Sequence, residues 1–257
     1  MNERAKQILT LIATFVGVLG PSIGSFSPGS STTGEISGRF FSDVFIIPVD
    51  YAFAIWAPIY LGFLAFAVFQ ALPSQRLNPR FMRVRLWLAA SALLNAAWIA
   101  AFNNPLFGFS LFIIVGMLIT AFVMHRILEI GTTKVYGLER FLRLPFSLYA
   151  GWLTAATILN AAGVLVDSDW GGFGISYPVW GVIMLFVATA IGLLTRFRWN
   201  DPVYGAVFVW AFVGVVAARP EVPIVAVTAL VFALVFAATL VSPLAKRLGM
   251  QGRWARA

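Results

Sequence analysis

Residues 222–242 read VPIVAVTALVFALVFAATLVS, a stretch rich in Val, Ala, Leu and Phe without one charged side chain. In hydrocarbon, every backbone N–H and C=O group must be hydrogen-bonded within the segment, and a helix of about 20 residues achieves this. The stretch therefore predicts a membrane-spanning helix. Seven further apolar runs predict the same structure, so the predicted fold class is all-α, a polytopic membrane helical bundle. Its approximately eight spans are 7–24, 51–72, 86–103, 106–126, 144–165, 176–196, 202–218 and 222–243.

The composition of the 257 residues is typical of a membrane protein. Hydrophobic residues make up 60% and charged residues 11% of the chain, and the mean hydropathy is +0.89. Soluble domains carry about 25% charged residues, and a water-soluble core could not enclose this much apolar surface. The formal charge of +8 comes from basic residues near the ends of the runs, which argues against nucleic-acid binding. The chain has no Cys, which excludes disulfides, thiolate metal ligands and Cys nucleophiles.

Lys and Arg fall on alternate connections between the predicted spans, and this alternation predicts the orientation of the chain. Basic residues occur at the N-terminus, in the 73–85 and 127–143 connections, in the turn before the seventh span and in the C-terminal tail. The connections on the opposite side of the membrane contain only Arg39 and Arg219. Positively charged connections stay in the cytoplasm. We therefore expect both termini inside, the 25–50 connection outside, and a location in a cell membrane such as the bacterial inner membrane.

The 25–50 connection is the longest one between predicted spans. Its first half is rich in Ser, Thr and Gly, so we expect it to be flexible. The later segment FFSDVFIIP, residues 40–48, is apolar and is expected to rest on the membrane surface or to cap the bundle. A connection of this length often serves as a functional lid, and a disordered tether is an equally good interpretation.

No Asp, Glu, Lys, Arg or His lies near the middle of any predicted span. Pumps and proton-coupled carriers usually need such a residue, although it costs about 2.5–3.5 kcal/mol on insertion scales. A proton-driven transporter is therefore disfavoured, and a transporter of an uncharged solute is the third functional hypothesis. His125 stands beside Arg126 at the inner end of the fourth span, where an interfacial role is a simpler explanation than a haem ligand.

Aromatic and polar side chains recur at helical spacing on three of the spans. Steps of three and four residues place them on one face of each helix. They are Phe53, Trp56, Tyr60 and Phe63 on the second span, Ser91, Asn95, Trp98 and Phe102 on the third, and Tyr149, Trp152, Ala156 and Asn160 on the fifth. Taken singly, a Trp near a span end belongs to the interfacial aromatic belt, and an Asn within a span joins helices. Together, the three faces are typical of a pocket for a flat apolar ligand.

These residues resemble the motifs of the tryptophan-rich sensory protein family, also called TspO/MBR or translocator protein. FAIWAPIY supplies a Trp-x-x-x-Tyr step, LNAAWIAAF an Asn-x-x-Trp step that ends in Phe, and LPFSLYAGWLTAATILN a Pro, a Trp and a distal Asn. The order of the motifs and the helices that carry them agree with the family. The resemblance covers about residues 7–165. It implies a five-helix membrane domain at 1–165, followed at 166–257 by three additional membrane helices and a basic tail.

The resemblance implies an integral membrane sensor, receptor or binding protein for a tetrapyrrole such as a porphyrin or haem, or for a sterol-like lipid. The implied ligand-binding residues are Trp56, Tyr60, Asn95, Trp98, Phe102, Tyr149, Trp152 and Asn160. No catalytic residue and no metal site is implied. Light-dependent porphyrin breakdown has been linked to the family, but we interpret this chain as a binding protein and not as an enzyme.

An accessory subunit of a larger membrane complex, such as one that carries pigments, is the second functional hypothesis. The 222–242 stretch has no polar face, which suits a helix that meets lipid or the apolar surface of a partner. The basic inner connections suit anionic lipid headgroups. We therefore expect membrane lipids as partners, and a homodimer or larger complex formed through the last three helices as a further possibility.

Overall fold

A computed structural model describes residues 1–25 and 31–241, with side chains omitted for 22–25. The basic tail, predicted to be cytoplasmic, and part of the Ser- and Gly-rich segment, predicted to be flexible, lie outside these residues. The described α-helices are α1 (Glu3–Ser25), α2 (Thr33–Phe40), α3 (Trp56–Ala71), α4 (Pro79–Asn103), α5 (Phe107–Ile127), α6 (Leu138–Asp167), α7 (Tyr177–Trp199), α8 (Pro202–Ala218) and α9 (Pro223–Val241). Short 3₁₀ helices lie at Asp50–Ile55, Pro73–Gln75 and Gly172–Gly174.

Each predicted span corresponds to a helix, and the described residues contain no strand, so the all-α prediction is confirmed. Within the part of the chain that the structure describes, six helical segments are long and apolar enough to cross a membrane: Asp50–Ala71, Pro79–Asn103, Phe107–Ile127, Leu138–Asp167, Tyr177–Trp199 and Pro223–Val241. The other two predicted spans differ from these six. The α8 helix is apolar but has only 17 residues, and α1, at Glu3–Ser25, is not among the six.

Two helices begin well before the predicted spans. The α4 helix starts at Pro79 instead of 86, because the Asn78 side chain accepts hydrogen bonds from the backbone N–H groups of Arg80 and Phe81. Proline also fits the first position of a helix. The α6 helix starts at Leu138 instead of 144. The predicted boundaries stopped at charged residues. The α4 helix continues beyond the apolar layer because its start is capped, and α6 does so with Arg143 paired to Glu139.

Close contacts at glycine bring α1, α3, α4 and α6 together around one interior. A Cβ atom at Gly17 of α1 would lie 2.2 Å from the carbonyl oxygen of Ala92 in α4. A Cβ atom at Gly62 of α3 would lie 1.9 Å from the ring of Pro145 in α6. Both distances are far below van der Waals contact, so these approaches require Gly. Contacts between small residues are a general means of helix association in membranes, where the hydrophobic effect does not drive it.

The 25–50 connection contains α2, a helix that the expectation of a flexible first half did not include. Thr32 Oγ1 accepts a hydrogen bond from the Glu35 backbone N–H, and the Glu35 carboxylate accepts one from the Thr32 backbone N–H, which forms a capping box. The apolar segment after α2 caps the bundle, as in one of the two predicted arrangements. Phe41 packs against Phe102 and Phe107 at ring-centroid distances of 5.9 and 4.6 Å.

The group of α7, α8 and α9 packs onto the bundle formed by α1, α3, α4, α5 and α6. Tyr204 Oη of α8 donates to Thr154 Oγ1 of α6 over 3.1 Å. Trp210 Nε1 of α8 donates over 2.8 Å to the carbonyl oxygen of Ala52, in the 3₁₀ helix before α3. The α9 helix packs against α7 and α8. The proposed division near residue 165 stays a prediction, and α6 and α8 are in direct contact across it.

A buried polar pair joins α5 to the start of α8. His125 Nε2 lies 2.9 Å from Asp201 Oδ2, and Asp201 Oδ1 caps α8 by accepting from the backbone N–H groups of Val203 and Tyr204. The ring of His125 stacks on Trp199 at a centroid distance of 3.9 Å. The interfacial role of His125 stays a prediction, and the structure adds that the side chain is buried beside a partner 76 residues later in the chain.

Candidate ligand-binding site

Trp56 is the centre of an aromatic cluster formed by α3, α4 and α6. Its ring stacks on Tyr60 at a centroid distance of 5.2 Å and lies 6.1 Å from Trp98. The rings of Tyr149 and Trp152 lie 6.2 and 6.4 Å from it. These distances fall in the range of favourable aromatic pairs, about 4.5–7 Å. The aromatic faces of α3, α4 and α6 therefore meet inside the bundle.

Asn95 joins three helices and uses both ends of its amide to do so. Its Oδ1 atom accepts a hydrogen bond from Tyr60 Oη of α3 over 3.1 Å. Its Nδ2 atom donates to the carbonyl oxygen of Gly17 in α1, also over 3.1 Å. These contacts are the ones expected of an Asn that ties helices together.

Asn160 has one amide end engaged and the other free. Its Oδ1 atom accepts from Trp98 Nε1 over 3.3 Å and from Ser110 Oγ over 3.1 Å. Among the described residues, Asn160 Nδ2 finds no hydrogen-bond partner, and Trp152 Nε1 finds none either, although both side chains are buried. Such donors are rare in proteins, because each costs about 1–3 kcal/mol when it stays unpaired.

A small cavity is bordered by the side chain of Asn160 and by the surrounding aromatic rings, Trp152 among them. It encloses about 30 Å³, and its walls include Trp56, Trp98, Phe102, Trp152 and Asn160. A single water needs roughly 10–15 Å³ on this measure. The space among the three Trp rings therefore holds only a small group, and a whole tetrapyrrole or sterol does not fit inside it.

A larger cleft of about 540 Å³ adjoins the small cavity. Its wall includes the rings of Trp56, Tyr60 and Trp98, together with the start of α2 and the 3₁₀ helix before α3. The volume falls in the range of small-molecule sites, about 300–1,000 Å³. Glu35 and Asp50 also line the cleft, and none of the described lining residues is Lys, Arg or His. The cleft therefore combines an aromatic wall with negative charge.

The eight predicted ligand-binding residues belong to one cluster, but they differ in their access to open space. Trp56 and Trp98 line both the cleft and the small cavity, Tyr60 lines the cleft, and Phe102, Trp152 and Asn160 line the small cavity. Asn95 and Tyr149 line neither. Tyr149 is buried, with its Oη atom 2.8 Å from Ser91 Oγ. The structure thus brings six of the eight residues to a cavity wall and places two behind it.

Several residues of the site were not among the predicted ligand-binding residues. Phe41 lines the small cavity and Glu35 lines the cleft, and both come from the 25–50 connection. The Thr-x-x-Glu step at 32–35 was a detectable signal, since it marks the start of a helix. Ser110 and Asp50 carried no local signal, because their roles depend on which helices are neighbours.

A family model described as TSPO-like protein matches residues 7–242, nearly the whole chain. The chain belongs to the TSPO-like protein family. The resemblance inferred from the aromatic motifs is therefore confirmed, and the match extends beyond 165 to include α7, α8 and α9. A comparison with curated proteins and one with solved structures found no match. Family membership and the six long apolar helices identify this TSPO-like protein as an integral membrane protein.

Proposed function

We propose that this TSPO-like protein binds a flat, largely apolar ligand of the tetrapyrrole or sterol kind in the 540 Å³ cleft. The observation that carries the proposal is the aromatic wall of the cleft, where Trp56 and Tyr60 of α3 meet Trp98 of α4. Flat ring systems gain both buried apolar area and favourable stacking on such a wall. The rings already pack on one another, so binding orders few additional side chains.

The charges of the lining narrow the choice of ligand. Glu35 and Asp50 place carboxylates in the lining of the cleft, and the described part of that lining supplies no basic side chain. Carboxylates repel the propionate groups of a free porphyrin, and like charges across an interface disfavour a partner. An esterified or otherwise uncharged tetrapyrrole, or a sterol, therefore suits the cleft better than a dianion.

Titration of the detergent-solubilised protein with protoporphyrin IX dimethyl ester tests the proposal. We expect quenching of tryptophan fluorescence and a shift of the Soret band in the micromolar range. Trp56→Leu should weaken binding roughly tenfold, which corresponds to about 1.4 kcal/mol, because it removes the central stacking ring.

Trp170→Leu is the matched control, since Trp170 packs against Phe173 and Trp180 and lines neither cavity. This variant should bind the ester like the wild type. Binding of cholesterol, measured by equilibrium dialysis, tests whether the cleft takes a sterol. Equal affinities in the Trp56 and Trp170 variants would overturn the proposal, and so would a wild-type protein that binds neither the ester nor cholesterol.

An accessory subunit of a larger membrane complex is the second candidate function, and α9 is the element that favours it. Val227, Leu230 and Leu234 are between 45% and 61% exposed and form part of an apolar surface on α9. In a membrane this surface meets lipid or a partner helix. Gentle solubilisation followed by a native gel distinguishes the candidates, because the binding role predicts a monomer or dimer and the subunit role predicts a much larger species.

A further inference from the structure

The small cavity is bordered by two buried side chains that have hydrogen-bonding capacity to spare. Trp152 is fully buried and Asn160 is 3% exposed, and both residues line the cavity of about 30 Å³. Trp152 Nε1 and Asn160 Nδ2 have no acceptor among the described residues. Since nearly all buried polar groups in proteins are paired, these two N–H groups point to an acceptor supplied from outside the chain.

The orientation of the Asn160 amide follows from its neighbours. Trp98 Nε1, which can only donate, lies 3.3 Å from one atom of the amide, so that atom is the oxygen. A reversed amide would place its NH₂ group against the indole N–H of Trp98, which is only a donor. The remaining atom, Nδ2, is therefore a donor available to a ligand. Asn95 differs in this respect, because both ends of its amide are already engaged.

The size and charge of the cavity limit what the acceptor can be. A volume of about 30 Å³ accommodates an oxygen-sized group and not a ring. None of the described lining residues carries a charge, so a carboxylate would be buried without a counter-charge at a cost of several kcal/mol. The acceptor is accordingly neutral, such as a carbonyl, ether or hydroxyl oxygen.

The position of the cavity connects it with the cleft. Thr33, Phe53, Trp56 and Trp98 line both spaces, so these four side chains form the boundary between them. A flat ligand that lies in the cleft against Trp56 and Trp98 has an edge at this boundary. An oxygen atom on that edge is the part of the ligand that the small cavity can take.

We propose that the small cavity is an acceptor subsite, which binds a neutral oxygen of a flat apolar ligand through a free N–H group of α6, either Trp152 Nε1 or Asn160 Nδ2. This inference rests on the proposed function, since the body of the ligand occupies the cleft. It goes beyond that function by naming a ligand class, a flat ketone or related oxygen compound, and by assigning the donors to Trp152 and Asn160. The two residues are eight positions apart, about 12 Å of helix rise, so each donor is tested separately.

Fluorenone and fluorene are matched probes for this subsite, because they share a flat tricyclic skeleton and differ by a carbonyl in place of a methylene group. Equilibrium dialysis with the same detergent on both sides measures the two affinities without bias from micelle partition. We expect the wild type to bind fluorenone about five- to tenfold more tightly than fluorene, the gain of a net hydrogen bond. The carbonyl stretch of bound fluorenone should also move to lower wavenumber.

Trp152→Phe removes the indole N–H and keeps an aromatic ring, and Asn160→Leu removes the amide at nearly the same volume. In at least one of these variants, the ratio of the two affinities should fall to about one and the carbonyl stretch should return toward its value in apolar solvent. Trp170→Phe, outside both cavities, should keep the wild-type ratio. Because the ratio compares two probes on the same variant, a general change in stability does not produce this result.

The outcomes separate the two proposals. Equal binding of fluorenone and fluorene by the wild type, with an unshifted carbonyl stretch, overturns the acceptor subsite and leaves the cleft as a binding site. A wild-type preference that survives in both α6 variants also overturns the subsite, because the oxygen is then held elsewhere. If neither fluorenone nor fluorene binds, and the porphyrin ester and cholesterol do not bind either, the proposed function itself is overturned.

Discussion

Two asparagines show how the same side chain acquires different roles in one cluster. Asn95 donates to a carbonyl oxygen of α1 and accepts from Tyr60, so its amide connects helices. Asn160 accepts from Trp98 and Ser110 and keeps a free donor beside a cavity. A satisfied amide inside a membrane contributes to stability, whereas an unsatisfied donor costs stability until an acceptor pairs with it.

Asp201 is a buried residue whose partners determine its response to pH. Burial opposes ionisation of its carboxyl group, but the hydrogen bond and charge of His125 and the other hydrogen bonds that the carboxyl group accepts together lower the pKa of Asp201 below its usual 3.8. Hydrogen bonds from Ser147 and from the Tyr204 backbone act in the same direction. A carboxyl group with a lowered pKa stabilises the fold above its unfolded pKa, and the contribution is lost as the pH falls through the folded pKa. The relevant window therefore lies below about pH 4.

We expect Asp201→Asn to lower thermal stability at neutral pH, with a difference from the wild type that shrinks below about pH 4. Asn removes the charge but can still cap α8, whereas Ala cannot. Asp201→Ala should therefore be about 1 kcal/mol less stable than Asp201→Asn. Unfolding curves of the solubilised protein at a series of pH values measure both effects. Asp43→Asn, at an exposed position, is the control for loss of one negative charge. A stability difference that does not change with pH would contradict the prediction.

At the scale of the element, α2 is a short helix with a large influence on the cleft. A helix of eight residues is unstable in isolation. The capping box at Thr32 and Glu35 supports its start, and Ile36 is buried against the core. Gly34 lies beside Asp50, since a Cβ atom there would be 3.0 Å from Asp50 Oδ1. The start of α2 and the 3₁₀ helix before α3 thus bring Glu35 and Asp50 to the same cleft.

The combined variant Glu35→Gln and Asp50→Asn should strengthen binding of free protoporphyrin IX relative to its dimethyl ester by about three- to tenfold. Gln is as suitable as Glu in a capping box, so the charge changes while α2 keeps its cap. Fluorescence titration of both porphyrins measures the ratio of their affinities. This ratio should depend less on salt in the variant than in the wild type. Asp43→Asn should leave the ratio unchanged. A ratio that is the same in the combined variant and in the wild type would show that these carboxylates do not select the ligand.

At the scale of the whole molecule, the bundle has two ends of different charge. The segments 73–85 and 127–143 carry basic residues, whereas the end of α6 and the turn after it carry Asp167 and Asp169. The basic end also contains Arg85, which is fully buried and bonded to Glu3 and Gln70. We interpret the basic end as cytoplasmic, because basic residues near span ends resist translocation.

Single cysteines introduced into this Cys-free chain test the orientation. Ser168 and Ser74 are exposed positions on connections that belong to opposite ends of the bundle. A membrane-impermeant maleimide should label Ser168→Cys in intact cells and Ser74→Cys only after the cells are lysed. The reverse pattern of labelling would show that both termini face outward.

The extent to which the site could be predicted differs from residue to residue. Trp56, Tyr60 and Trp98 were identifiable because spacing along one helix determines which side chains share a face. Glu35 was identifiable as part of a capping signal, but not as a wall of the cleft. The burial of His125 could not be predicted, since it depends on Asp201, which lies on another part of the chain.

The sequence by itself determined the helical membrane architecture, the family and the aromatic faces of three helices. These properties depend on local chain chemistry, namely the length of apolar runs and the period of the α-helix. Only the tertiary structure decided that the rings enclose a cavity of about 30 Å³ beside a cleft of about 540 Å³, and that Asn160 instead of Asn95 keeps a free donor. Cavities and free donors arise from the fit between neighbouring helices, a relation that no single segment of the chain contains.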